Sequence, residues 1–131
     1  MIYTMMQACR EADMTYQALK FYCNEGLVPN VKRDKNNRRV FDERDLKWIK
    51  DLVCLKKCGM SIQEMKAYLD LCLQGPSTIP QRKEMLAQKQ NALRNSIQEL
   101  EDSDACIDWK EDFYDEVVSG KGAYVSNLIR T

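Results

Sequence analysis

The sequence predicts a mainly α chain: an N-terminal winged helix-turn-helix, a helical pair behind it, and a long C-terminal helix that pairs antiparallel with a second copy as a dimerising coiled coil. Three observations carry this reading. Capping and breaking residues cut the N-terminal part into short helices; the helical period disappears between Val28 and Phe41; and apolar residues return on a seven-residue repeat beyond Pro80. The corresponding segments are 1–75 for the winged helix-turn-helix, 76–118 for the dimerisation helix and 119–131 for a C-terminal tail.

Thr4-Met5-Met6-Gln7 has the form of a capping box, a hydroxyl followed three residues later by an amide, and opens a short helix to about Glu11. Thr15 caps a second helix with an apolar face of Ala18, Leu19 and Tyr22, which Gly26 ends. The few residues between them are a helix-turn-helix spacing. Pro29 blocks further helix, and Asp34-Lys35-Asn36-Asn37 is a turn signal between two extended runs, Asn30–Arg33 and Arg38–Phe41. The result is a basic hairpin, or wing. Asp42 caps a third helix to Cys58, closed by Gly59; Ser61-Ile62-Gln63-Glu64 is a second capping box, opening a fourth helix to about Leu73. Gly75-Pro76 breaks that helix. Thr78-Ile79-Pro80-Gln81 starts the last one, where a first-turn proline is tolerated, and it runs to about Glu116.

Along that last helix Leu86, Gln90, Leu93, Ile97, Leu100, Asp104 and Ile107 alternate spacings of four and three, a heptad seam with polar faces on either side. A stripe this narrow needs a partner helix, and a second copy of the chain is the simplest source; the alternative is packing back on its own domain. Gln90 and Asp104 within the seam would fix register at some cost in stability. Beyond Gly120-Lys121-Gly122 the tail carries Tyr124, Val125, Leu128 and Ile129 without a period.

The net charge of zero hides an asymmetry. Residues 1–60 hold twelve Lys/Arg against eight Asp/Glu, and residues 61–131 the reverse, eight against twelve. Only the N-terminal half suits a polyanion. Residues 99–116 carry nine acids and one lysine, a segment that repels DNA. No run of eighteen apolar residues supports a membrane span, and the first residues lack the pattern of a signal peptide, so the expected location is the cytoplasm. Six cysteines, at 9, 23, 54, 58, 72 and 106, come with no histidine and no Cys-x-x-Cys, which argues against a zinc finger and against thiol-based enzyme chemistry with a histidine base. In a reducing compartment they are expected as free thiols, with no resident cofactor or metal.

The segment Thr15-Tyr16-Gln17-Ala18-Leu19-Lys20-Phe21-Tyr22 with Glu25-Gly26-Leu27 resembles the recognition segment of MerR-family regulators, which reads Thr-Leu-Arg-Tyr-Tyr-Glu and then Gly-Leu. Arg33-Asp34 and Arg39-Val40-Phe41, then Glu43 and Asp45-Leu46, are similar to the wing and next helix of that family. Leu55 with Gly59-Met60-Ser61-Ile62-Gln63-Glu64-Met65 resembles its Leu-x-x-x-Gly-Phe-Ser-Leu-x-Glu-Ile. Lys20 stands where the family has Arg, Phe21 where Tyr is common, Cys23 where an acid is common, and Asn37-Arg38 replaces Gly-Tyr in the wing. The resemblance spans roughly residues 2–72. It implies a homodimeric regulator that binds a palindromic operator in double-stranded promoter DNA and untwists it, so that both promoter elements face RNA polymerase.

In that frame Thr15, Tyr16, Gln17, Lys20 and Tyr22 on the recognition helix, and Lys32, Arg33, Arg38 and Arg39 on the wing, are the DNA-contacting residues. Gln can pair bidentately with adenine, Tyr can reach a phosphate or base, and the cations serve the backbone. Tyr22 is open between core, phosphate contact and both. An architectural DNA protein of similar shape is a weaker alternative, because the heptad helix implies a fixed dimer.

For the signal, Leu52-Val53-Cys54-Leu55-Lys56-Lys57 before Gly59-Met60, and Leu71-Cys72-Leu73-Gln74-Gly75-Pro76-Ser77-Thr78-Ile79-Pro80-Gln81-Arg82, resemble the AdhR/NmlR-like branch, with its Leu-x-Leu-x-Gly-x-x-Thr-Ile-x-x-Arg. The resemblance implies a response to aldehydes, other electrophiles or oxidative stress through a cysteine in the helix after the wing, which makes Cys54 the sensor thiol. Lys50 and Lys57 lie within one turn of it, and cations favour the thiolate. The alternatives are a structural Cys54 and a response to a metal ion or a small hydrophobic ligand. Cys58, one turn on, either packs, supplies a second thiol or shares a soft metal; Cys9 and Cys23 fill the helix-turn-helix core; Cys72 and Cys106 face the other protomer. Trp109, Phe113 and Tyr114 form either an aromatic pocket or a plain hydrophobic helix end.

Overall fold

A computed structural model describes residues 1–129. The chain forms β1 (Tyr3–Thr4), α1 (Met5–Ala12), α2 (Tyr16–Asn24), β2 (Lys32–Arg33), β3 (Arg39–Phe41), α3 (Glu43–Lys57), α4 (Ile62–Leu73), a 3-10 turn (Pro76–Thr78) and α5 (Ile79–Ser119). Two compact units result, Met1–Gln90 and the chain from Asn91 onward. The first unit reaches past residue 75 because the opening turns of α5 are tied to it. Lys89 Nζ lies 2.9 Å from Glu64 Oε2 at the start of α4.

Local chemistry places the helix ends. Thr4 Oγ1 accepts from Gln7 N at 3.2 Å while Gln7 Oε1 accepts from Thr4 N at 2.9 Å, and Ser61 with Glu64 repeats the exchange. Asp42 and Asp45 form a third reciprocal box, both bonds at 2.9 Å, with an aspartate in place of the usual Glu or Gln. Each such cap contributes about 1 kcal/mol. Between α1 and α2 the chain reverses at Asp13, in the left-handed region at φ 53°, and Met14 N donates to Cys9 O.

The sheet has three strands in the order β1-β3-β2, all antiparallel, with Tyr3 opposite Phe41, Lys32 opposite Val40 and Arg33 opposite Arg39. Strand β1 has no counterpart in the sequence reading: two residues are too short to show an alternating period. The wing hairpin is present, with arms shorter than the extended runs suggest. Its turn is closed by Asp34 Oδ1, which accepts from Asn36 N and Arg38 N, and by Asn37 at φ 60°, a conformation asparagine tolerates. Phe41 then enters the core with Ala8, Leu19, Leu27, Ile49, Leu52 and Met65, all fully buried. Trp48 ties α3 to this core, donating Nε1–H to Leu27 O at 2.7 Å and stacking on Tyr68 of α4 at 6.4 Å.

The α4–α5 corner has its own staple. Thr78, 3 % exposed, donates its hydroxyl to Leu71 O; Arg82 Nε donates to Thr78 Oγ1 at 3.0 Å, and its Nη2 to Gly75 O. Gly75 takes φ 88°, open to glycine without strain. The spacing Gly-x-x-Thr-Ile-x-x-Arg is therefore a hydrogen-bonded corner, which satisfies Leu71 O near the end of α4 and Gly75 O beyond it. Helix α5 is continuous over 41 residues and buries none of them.

Candidate nucleic-acid interface

Thr15 opens α2. Its Oγ1 accepts from Ala18 N at 3.1 Å, capping α2 so that the next residues, Tyr16 and Gln17, stand exposed on the first turn. Lys20 is exposed one turn further on. Tyr22 is only 6 % exposed; its ring belongs to the core, and burial raises its phenol above the usual range. Recognition helix and wing frame a cleft of about 460 Å³ lined by Met5, Tyr16, Arg33, Arg38 and Arg39. Three guanidinium groups at its wall suit an anionic backbone.

The wing cations differ in their partners. Arg39 Nη2 donates to Asn24 Oδ1 at 2.6 Å, tying β3 to the last residue of α2. Arg33 Nη1 donates to Asn37 O at 2.9 Å and braces the hairpin. Lys32 Nζ pairs with Asp42 at 3.0 Å and Asp45 at 3.6 Å. The Asp45 backbone N–H and the Lys32 ammonium hold the Asp42 carboxyl down at about 2, and the Asp42 hydrogen bond raises Lys32 in turn. Among the described residues, Arg38 has no hydrogen-bonding or ionic partner for its side chain. Residue type alone marks these four cations as equivalent; their partners, Asn24, Asp42 and Asp45, are distant in sequence and carry no motif. Lys66 to Glu25 at 2.8 Å, which joins α4 to the end of α2, is another such pair.

The cysteines separate in the same way. Cys54 is exposed on α3; Cys58, its C-terminal cap, is half-buried; Cys9 is buried in the core and Cys23 half-buried against it. Burial raises the Cys9 and Cys23 thiols, with the Arg39 cation opposing it at Cys23. Burial, then the neighbouring Cys54, raises Cys58. Cys72 is half-buried and Cys106 exposed. The seam residues of α5 are uncovered in the single chain, from Leu93 at 38 % to Leu100 at 71 % exposed. Trp109 and Phe113 stack at 6.3 Å, and Tyr114 tilts against Phe113 at 5.7 Å.

A capped helix-turn-helix with a basic wing beside its second helix defines a winged-helix DNA-binding protein. Residues 3–72 match the MerR HTH family regulatory protein signature, and residues 44–109 the family's DNA-binding signature. An uncharacterized HTH-type transcriptional regulator of Haemophilus influenzae is 33% identical over 114 residues, 87% of this chain and 84% of that protein. The HTH-type transcriptional regulator AdhR of Bacillus subtilis is 34% identical over 87 residues, 66% of this chain and 62% of AdhR. Among solved structures, HiNmlR, described as a MerR family regulator lacking the sensor domain and bound to promoter DNA, is similar with a TM-score of 0.77 and 32% identity, covering 91% of this chain and 90% of that one. The chain belongs to the MerR family and is a DNA-binding transcription regulator.

Proposed function

We propose that the chain works as a homodimer that grips and distorts a palindromic promoter, setting its two elements for RNA polymerase, and that an aldehyde, another electrophile or oxidative stress changes that grip through Cys54. The observation that carries the sensing part is the exposed Cys54 thiol, on the helix that follows the wing and within the DNA-binding unit. A buried cysteine could not meet a solute; this one can. An aldehyde needs no second reagent. The thiolate attacks the carbonyl carbon, an S–C bond forms as the C=O π bond opens, and the thiol proton ends on the oxygen. The added group enlarges a side chain next to Leu55, which is buried in the core, and can bias a two-state dimer. Similarity to AdhR and to HiNmlR, a regulator described as lacking the sensor domain, supports a sensor within the shared fold.

The dimer is supported by the uncovered seam Leu86, Gln90, Leu93, Ile97, Leu100, Asp104 and Ile107. DNA contact through Thr15, Tyr16, Gln17, Lys20, Lys32, Arg33, Arg38 and Arg39 is supported by their placement around the cleft, on the exposed start of α2 or, for Lys32, on the exposed wing strand β2, where it also pairs with Asp42 and Asp45; the Tyr22 ring lies in the core. In vitro transcription from the upstream promoter, with and without a reactive aldehyde, tests the reading. Native protein should activate, and Cys54→Ser should bind the same DNA without responding. Equal responses from both would make Cys54 structural and turn the search to metal ions and hydrophobic ligands.

A further inference from the structure

Cys54 and Cys58 stand one turn apart on the same face of α3, with Cys58 N donating to Cys54 O at 3.1 Å. One thiol is exposed and the other half-buried, so a solute reaching Cys54 meets Cys58 behind it. Lys50, Lys56 and Lys57 are exposed on the same stretch of chain. Cys58 is the C-terminal cap of its helix, followed by Gly59 at φ 87°, so its backbone can adjust without breaking the turns that Leu52 and Leu55 bury.

Two outcomes compete for such a pair, and their geometry separates them. Residues i and i+4 of a helix hold their Cβ atoms about 5–6 Å apart. A disulfide requires about 3.5–4.5 Å, so closing one would strain the last turn of α3. A single soft atom bound by both sulfurs, with bonds of about 2.3 Å each, spans sulfurs on the order of 4 Å apart and lets the helix stand. Among the described residues no three His, Cys, Asp or Glu side chains converge, so the donor set suits a centre satisfied by two thiolates and not a four-ligand cage.

We infer that Cys54 and Cys58 form a two-thiolate site for a soft thiophilic centre of low coordination number, of which a trivalent arsenical with one organic substituent is the fitting class. With phenylarsine oxide two As–S bonds form, the oxygen leaves as water with the two thiol protons, and arsenic keeps its oxidation state. The site uses the accessible Cys54 of the sensor reading but consumes two thiols where an aldehyde consumes one. It does not depend on the promoter response. A protein that takes up arsenic across both cysteines yet ignores aldehyde in transcription keeps this site and loses that reading.

The test titrates reduced full-length protein with phenylarsine oxide, counts free thiols and maps the adduct after trypsin. Lys56 and Lys57 lie between the two cysteines, so a bridge holds the tryptic peptides 51–56 and 58–66 together in one species. The expected result is that linked pair, two thiols lost per arsenic at this locus, release by a dithiol but not by a monothiol, and retention at least about tenfold weaker in Cys54→Ser or Cys58→Ala, since the second bond of a chelate forms at high effective concentration. The mapping on native protein needs no variant to fold. Arsenic on Cys54 alone, or bridging any other cysteines, overturns the site, as does uptake unchanged in both variants.

Discussion

Residues 1–90 and the helix from Asn91 to Ser119 are both rich in helix, yet they place their apolar residues in opposite ways. In the first, Leu19, Leu27, Phe41, Ile49 and Met65 are sealed within a core that three reciprocal capping boxes frame. In the second, every side chain from Asn91 to Asp112 is exposed, including Leu93, Ile97, Leu100, Ile107 and Trp109. Helices in water draw most of their stability from packing one face, so a helix with no buried residue from its own chain points to contacts outside that chain. The first region buries its apolar residues within itself; the second leaves them uncovered.

Leu93→Ala should sharpen this contrast most. The proposed two-fold dimer loses both copies of a side chain whose burial is worth about 1.5–3 kcal/mol, so association weakens by about 3–6 kcal/mol, or roughly a hundredfold to ten-thousandfold. Sedimentation equilibrium reads the change, and unfolding of residues 1–90 should be almost untouched. Phe41→Ala does the opposite, costing about 3–5 kcal/mol of domain stability in urea unfolding. The contrast breaks if Leu93→Ala destabilises the N-terminal unit as much as Phe41→Ala does.

The smallest effect concerns pH. The Asp42 carboxyl is held at about 2, below its ordinary 3.8, chiefly by the Asp45 N–H and then by Lys32. A depressed carboxyl adds stability that is present above the unfolded value and lost as pH falls from about 4 towards 2. Asp42→Asn keeps a capping side chain but removes the titration. Its stability should therefore fall less steeply across that window than the native protein's, measured by thermal unfolding at stepped pH. An unchanged slope would show that the charge on Asp42 contributes nothing to folding.

The contrast also explains what the sequence discloses. Thr4 with Gln7 and Ser61 with Glu64 are local patterns, three residues apart, and each forms the box its residue types imply. The wing turn and the continuous last helix are legible for the same reason. The pairing of β1 with β3, the Arg39–Asn24 bond and the Lys32–Asp42–Asp45 group are not, because each joins residues brought together only by folding. The cations of the wing can be picked by charge; that Lys32 and Arg39 also brace the domain cannot. Exposure of Cys54 likewise depends on which face of α3 meets the core, which Leu52 and Leu55 settle.

The two tryptophans give the molecule a built-in pair of optical reporters. Trp48 is half-buried, hydrogen-bonded to Leu27 O and stacked on Tyr68, whereas Trp109 is 69 % exposed on α5. Indole emission shifts with solvation, so Trp48→Phe leaves a fluorophore that follows events on the long helix, and Trp109→Phe leaves one that follows the integrity of the DNA-binding unit. Collisional quenching by neutral acrylamide should strike the first protein hard and the second weakly. The two halves of the regulator can thus be watched separately, in solution and without any added label.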